Sequence, residues 1–484
     1  RRRMLRDGTD NPEAYDLLLR AENTEVDLDD IAIVDDQTWP KLVLIRRALE
    51  LDPEYVQAWS AMARTYSTLG FATRDSGKYN YYVDEAEKAA RKALEIAPDR
   101  HYGYSAMGWV MHRKGERLQA EQYFRRAIDI EPTDYGAYNG LALQVIGTNP
   151  EEALELLDTV LEYEPTVVVT HRQKQFALAY MGRFDEAIAE LRLAIEKDPD
   201  AGHIYNDLAD LLVFRKGRPD EAALAVTKLL RKQANSYEGI AAMLESWAWA
   251  GGVKEAGDWA DLLLEQYPSS HKALIRNAAR LIAAGRFSDA MRVLDEFGAD
   301  DPDQAWITSL RSTSCLALQQ IECARQQARI SIETAALARE KGKRAVNFGI
   351  YQLLLELLVA ERQGDAEQAS RSLAAVAKLA GEEKYFEAKY MLRAGLAVRQ
   401  GQPEQAMDIL EQSLQAAGDG IFGLDVQGLA AEHSLLLGPL RGLPEFEDWL
   451  IRYRQQREAV LEHMRALESR GEIIPAVSLE RLLN

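Results

Sequence analysis

The chain has 484 residues, with 77 Asp plus Glu against 58 Lys plus Arg, a formal net charge of -19. That surplus disfavours non-specific contact with nucleic acid or an anionic membrane, so a basic or neutral partner is expected. Direct membrane insertion is not expected either: a spanning helix needs roughly 20 apolar residues, and the longest candidate run, Leu353 to Ala360, is interrupted by Glu356.

Residues 1–50 read as an opening helix, Pro12 to Arg20, then an acidic connector from Glu22 to Asp36, then a helix from Pro40 that completes a first unit. Arg1 to Arg6 is basic but is followed by Asp7, Gly8 and Thr9 rather than an apolar stretch, so no secretory signal is read there. With Arg at position 1 and the first Met at position 4, the chain is expected to be part of a longer polypeptide.

Residues 51–302 repeat one pattern at about 34 residues, the period of stacked helix-turn-helix units. In the clearest copy, His101 to Asp134, Tyr104, Met107, Gly108 and Met111 share one helix and Gly115 turns the chain. Ala120, Phe124 and Ala127 share the next helix, and Pro132 ends it. Small Gly108 and Ala120 let antiparallel helices approach, while Tyr104 and Phe124 fill the space beside them. The strings ALELDP (48–53), ALEIAP (93–98), AIDIEP (127–132) and AIEKDP (194–199) are one helix end written four times, beyond what helical periodicity alone produces. Leu69 to Tyr82, rich in Tyr and Gly, reads as an inserted projecting loop.

Residues 303–415 continue as looser, longer helical repeats, and 416–484 as a C-terminal helical cap with Phe446, Trp449, Leu450, Tyr453, Val460, Leu461, Met464 and Leu467 along one side of its helix. Cys315 and Cys323 are the only cysteines. Their spacing permits a disulfide across a turn in an oxidising compartment, but two small, half-buried core residues are the preferred reading.

On these residues the chain resembles the tetratricopeptide-repeat family over most of its length. The resemblance implies an all-α, right-handed superhelical solenoid of antiparallel helix pairs with a C-terminal capping helix. Two further stretches, Arg6-Asp7-Gly8-Thr9-Asp10-Asn11-Pro12-Glu13-Ala14-Tyr15-Asp16-Leu17 and Pro439-Leu440-Arg441 with Pro444 and Phe446, resemble repeat regions behind effector domains in bacterial class III adenylate cyclases and membrane-tethered winged-helix transcription activators. That implies a sensory or assembly arm, with no effector domain of either kind in this chain.

Catalytic patterns dissolve on inspection. Gly418, Gly420 and Gly423 spell GxGxxG, but a helix precedes them where a dinucleotide site needs a strand. Asp27, Asp29, Asp30, Asp35 and Asp36 lack the Gly and final Glu of a calcium loop. The seven histidines include no pair at helical metal spacing. His171, Lys174 and Gln175 stand where other copies carry apolar or small residues, so that helix turn either shifts outward or buries polar groups. No enzyme activity, cofactor or metal is expected.

In the family the resemblance names, the inner wall is lined by the first helix of each unit. The wall candidates here are Tyr102, Ser105, Trp109, His112 and Arg113 in one copy, Asn139 in the next, Arg172 in the following one, and Asn206 and Asp210 beyond. Amides bond a peptide backbone and aromatics stack on side chains. The expected function is a non-catalytic scaffold that binds a protein or peptide in the groove, with self-association as a further expectation; a metabolite or sugar sensor is the alternative. The expected compartment is the cytoplasm, or the periplasm if the chain is the arm of a membrane-tethered sensor.

Overall fold

The four repeated strings end four helices at one place. In the computed structural model these helices stop at Leu51, Ile96, Ile130 and Lys197, two residues before the prolines of those strings. At each end the amide of the next residue closes on an alanine carbonyl, that of Ala48, Ala93, Ala127 or Ala194, at 2.9 to 3.1 Å. The following proline has no amide to extend the ladder. The structure describes residues 8–24, 39–72, 76–165, 167–268, 270–298, 304–340, 348–382, 390–417, 431 and 433–483.

Every regular element among the described residues is helical. The chain divides into two compact units, one reaching from the start to Ala177 and the other from Leu178 to the C-terminus, apart from short exchanges near residue 340. Unit 1 holds four antiparallel pairs: α1 (Pro12–Glu22) with α2 (Pro40–Leu51), α3 (Val56–Ala72) with α4 (Ser76–Ile96), α5 (His101–Lys114) with α6 (Arg117–Ile130), and α7 (Tyr135–Val145) with α8 (Pro150–Tyr163). Helix α9 (Val168–Tyr180) passes from one unit into the other.

Unit 2 continues with α10 (Phe184–Lys197) and the pairs α11 (Gly202–Lys216) with α12 (Pro219–Leu230), α13 (Tyr237–Ala250) with α14 (Val253–Gln266), and α15 (His271–Ala283) with α16 (Phe287–Leu294). Then come α17 (Gln304–Ala317) and α18 (Ile321–Glu340), α19 (Phe348–Gln363) with α20 (Ala366–Glu382), and α21 (Tyr390–Arg399) with α22 (Pro403–Ala417). The tail forms a short 3-10 turn, Gly438–Leu440, then α23 (Pro444–Ser469) and α24 (Ala476–Leu483). These are the stacked pairs of a tetratricopeptide-type solenoid.

The steric reading of the clearest copy holds at the atomic level. Phe124 is fully buried, and a Cβ on Gly108 would lie 2.6 Å from its ring; Gly140 of the next copy abuts the same ring. Gly115 takes a positive φ of 78° at the turn, a conformation open to glycine. The first segment also has a structural task. Asn11 caps α1 by accepting the amides of Glu13 and Ala14 at 3.0 and 3.1 Å, and Thr9 donates to Asp52 at 2.5 Å.

Three expectations change. The described residues of the stretch from Leu69 to Tyr82 are helical rather than a projecting loop: 69–72 lengthen α3 and 76–82 open α4, with Leu69, Tyr82 and Val83 buried and the Tyr66 and Tyr82 rings 6.2 Å apart. Cys315 and Cys323 are not two unpaired core residues: a disulfide joins them across the turn from α17 to α18. The cap also reaches further than the last repeat. Phe446, Trp449 and Tyr453 do pack on α21 and α22, with Trp449 Nε1 donating to the Leu410 carbonyl at 2.9 Å.

The second half of α23 returns to repeats some two hundred residues earlier. Arg457 donates to the carbonyls of Ala248 and Trp249 at 3.3 Å, and Arg465 pairs with Glu255 at 2.8 Å. His463 faces Asp220 at 3.7 Å. Arg231 donates to the Gly471 carbonyl at 2.5 Å, and the Ile474 amide donates to Thr227 Oγ1 at 3.2 Å. Gly251 admits this approach, since a Cβ there would lie 2.9 Å from Arg457 Nε. The tail is thus both a cap and a clasp on α12 to α14. The acidic cluster Asp27 to Asp36, the GxGxxG glycines and Arg1 to Asp7 lie outside the described residues.

Candidate functional site

Successive first helices lie side by side, α3 on α5, α5 on α7, α11 on α13 and α13 on α15. Residues about one period apart therefore meet, and they meet through polar groups. Gln57 donates to the Tyr102 hydroxyl and Ser60 to the Tyr102 carbonyl at 3.0 Å. The His112 ring nitrogen lies 3.0 Å from the Gln144 amide nitrogen. Thr170 donates to Asn139 at 3.2 Å, and Arg276 pairs with Glu245. This polar ladder is a consequence of the repeat, and the wall candidates Tyr102, His112 and Asn139 are rungs of it.

Ser105 is buried. Trp109 stands edge-on to Phe124 at 5.4 Å and to His112 at 5.8 Å, so its indole is part of the packing. Arg113 gives its carbonyl to the Tyr79 hydroxyl, and burial pulls its guanidinium below the usual arginine range. Arg172 lies over the Phe176 ring at 5.4 Å. The odd turn of α9 buries its polar groups rather than shifting outward: Thr170, His171, Gln173 and Gln175 are all buried, and Lys174 pairs with Asp158 at 2.9 Å.

Unit 2 assembles a different wall. Asn206 and Asp210 sit one turn apart on α11, and Asn206 Nδ2 reaches Asp210 Oδ2 at 3.4 Å. Burial raises the Asp210 carboxyl to about 6, with Asp207 adding to the rise and Arg276 and Arg215 opposing it. Helix α13 contributes Glu245 and Tyr237, and α15 contributes Arg276. Burial raises the Tyr237 phenol while Arg276 beside it opposes the rise. The sequence reading named Asn206 and Asp210 but missed Glu245, Arg276 and Tyr237. The separation of 31 between Glu245 and Arg276, close to one repeat, is the signal that could have found them.

At the other end of unit 2 a cavity of about 410 Å³ is lined by Leu316, Leu358, Arg362, Arg399, Ser434 and Arg441. Arg399 is saturated, with two bonds to Glu361 at 2.6 and 3.0 Å and two to the carbonyls of Gly395 and Leu436 at 2.9 and 2.6 Å. It anchors the Pro439-Leu440-Arg441 turn to the repeats. Among the described residues no helix is long and apolar enough to cross a membrane.

No protein-family model matches the chain. It is similar to anaphase-promoting complex subunit 3 of Schizosaccharomyces pombe, 23% identical over 38% of this chain and 26% of that one. It is also similar to the human protein O-mannosyl-transferase TMTC3, 22% identical over 48% of this chain and 27% of that one. The chain therefore spans about a quarter of the length of each of these curated relatives. Among solved structures, yeast Tom70 is 14% identical with a TM-score of 0.41, covering 93% of this chain and 98% of that one. The fold itself, read from this chain's own helix pairs and their period, is the tetratricopeptide-type array.

Proposed function

We propose that the chain is a non-catalytic interaction scaffold that binds an extended protein segment along the first-helix walls of its units, as the sensory or assembly arm of a bacterial signalling protein. The observation that carries the reading is the polar wall of α11, α13 and α15. There Asn206, Asp210, Tyr237, Glu245 and Arg276 supply donors and acceptors on neighbouring first helices, with no nucleophile and base set against each other.

Selection of random dodecapeptides on the purified chain tests this. Selected peptides should lose at least ten-fold in affinity when Glu245→Ala and Arg276→Ala are combined, a pair of changes that removes both members of this ion pair, with helicity retained. Peptides indifferent to wall variants, or no peptides at all, would overturn the reading. The cavity at Arg399 favours a second reading, a small-ligand sensor, because its volume lies within the range of small-molecule sites. A stoichiometric low-mass compound released from the purified chain by denaturation would support that reading instead.

A further inference from the structure

The wall of unit 2 is unevenly satisfied. Glu245 has its cation in Arg276. Asp210 makes no ion pair among the described residues: Arg276 and Arg215 act on it from longer range, and its hydrogen bond is the long 3.4 Å one from Asn206. The other end of the same amide is also unmet, since Asn206 Oδ1 is buried without a hydrogen-bond partner. Buried polar groups are nearly always satisfied, and a buried carboxylate is costly unless paired. The unmet Asn206 oxygen and the Asp210 carboxylate, which has no ion pair, are both acceptors and lie one turn apart on a single helix. A group that completes both donates hydrogen bonds, and the carboxylate favours one that carries positive charge.

We propose that Asn206 and Asp210 form a specificity pocket for a lysine or arginine side chain of the segment bound along this wall. The inference rests on the wall reading above and adds the chemistry of its occupant. A guanidinium fork can donate to the Asn206 carbonyl oxygen and the Asp210 carboxylate together, and such charge-assisted bonds are among the strongest available. A metal ion fits less well, because among the described residues no group of three metal-ligating side chains gathers anywhere. An anion fits less well because Arg276 already holds Glu245. The chain's charge of -19 draws basic segments toward it.

The groups facing Asp210 set its pH behaviour. Asp207 and Arg215 share its helix and Arg276 approaches from α15; Glu245 and Tyr237 on α13 both bear on Arg276. With a carboxyl raised to about 6, the pocket is charged at neutral pH and loses its charge on mild acidification.

The test uses the full chain and four pools of dodecapeptides with a fixed central residue, Arg, Lys, citrulline or Glu, and the other positions randomised. At pH 7.5 the Arg pool should be retained ten- to a hundred-fold better than the citrulline pool, the difference expected for a charge-assisted hydrogen bond. Asp210→Asn should erase that preference by lowering Arg retention to the citrulline level, and Asn206→Ala should weaken it. Lowering the pH to 5 should cut Arg retention about ten-fold in the wild-type chain and not in Asp210→Asn. Equal retention of Arg and citrulline, a preference that survives Asp210→Asn, or better retention of Glu overturns the pocket. If wall-dependent peptides are recovered but show no basic preference, the pocket falls and the wall reading stands; if no wall-dependent peptide is recovered, both fall.

Discussion

Removing residues 456–484 leaves the first half of α23 in place as a cap and takes away only the clasp. The segment lost includes Val460, Leu461, Met464 and Leu467, all buried, together with Arg457, His463 and Arg465, which reach α12 to α14. Each large apolar side chain is worth about 1.5–3 kcal/mol when fully buried, an upper estimate because the unfolded chain already hides part of that surface. Two of the four, counted at the lower end, give about 3 kcal/mol of local stability, or roughly a hundred-fold in opening equilibrium. Backbone amide exchange in α12 to α14 should therefore accelerate about a hundred-fold, while α5 to α8 of unit 1 keep their protection. Deleting residues 444–484 goes further, exposing the sites of Phe446, Trp449 and Tyr453 as well, and should produce a chain that self-associates in light scattering. Unchanged exchange in α12 to α14 after the shorter truncation would refute the clasp, and a monodisperse longer truncation with unchanged melting would refute the cap.

Gly108→Ala drives a methyl group into the Phe124 ring, 2.6 Å from the added carbon; overpacking of this kind costs about 1–3 kcal/mol. Urea unfolding should show that loss, and adding Phe124→Leu should recover part of it. Asp210→Asn should stabilise the unliganded chain at pH 7.5 by about 1–3 kcal/mol, the scale of a carboxyl raised from 3.8 to about 6. The sign follows from linkage: the folded state holds this proton more tightly than the unfolded state, so ionisation above pH 6 destabilises and the penalty fades as pH falls from 6 toward 3.8. The variant's advantage should accordingly shrink below pH 5, and a variant less stable than wild type at pH 7.5 would contradict this account. Reducing the Cys315–Cys323 bridge should cost about 2–3 kcal/mol for so short a loop, so a melting temperature indifferent to reductant would show that the bridge adds nothing.

Helix ends and close approaches were legible because they depend on neighbours in sequence. Pro53, Pro98, Pro132 and Pro199 follow helices that stop in register, and Gly108 and Ala120 stand where two backbones must meet. A repeat of about 34 residues also encodes contacts one repeat away, so Glu245 with Arg276 and His112 with Gln144 were readable in principle. The same logic explains why the wall candidates of unit 1 resolved into rungs: a residue facing the adjacent first helix shares its spacing with one facing a ligand. Trp109 and Asn139 meet partners one helix away, while the hydrogen bond at Asp210 comes from its own helix.

What the period cannot encode is contact at unrelated separations. Arg465 and Glu255 are 210 residues apart, and nothing at either position marks the other; apolar residues along α23 announce a buried face without naming the surface that buries it. The lengthened α3 and α4 were misread for a related reason, since Tyr and Gly suggest a loop by composition while the burial of Tyr82 against Tyr66 is decided by a neighbouring helix. The unpaired acceptors of Asn206 and Asp210 belong to this second class. Their residue types were visible in the sequence, but the unmet Asn206 oxygen and the missing ion pair at Asp210 emerge only once every neighbouring helix is in place.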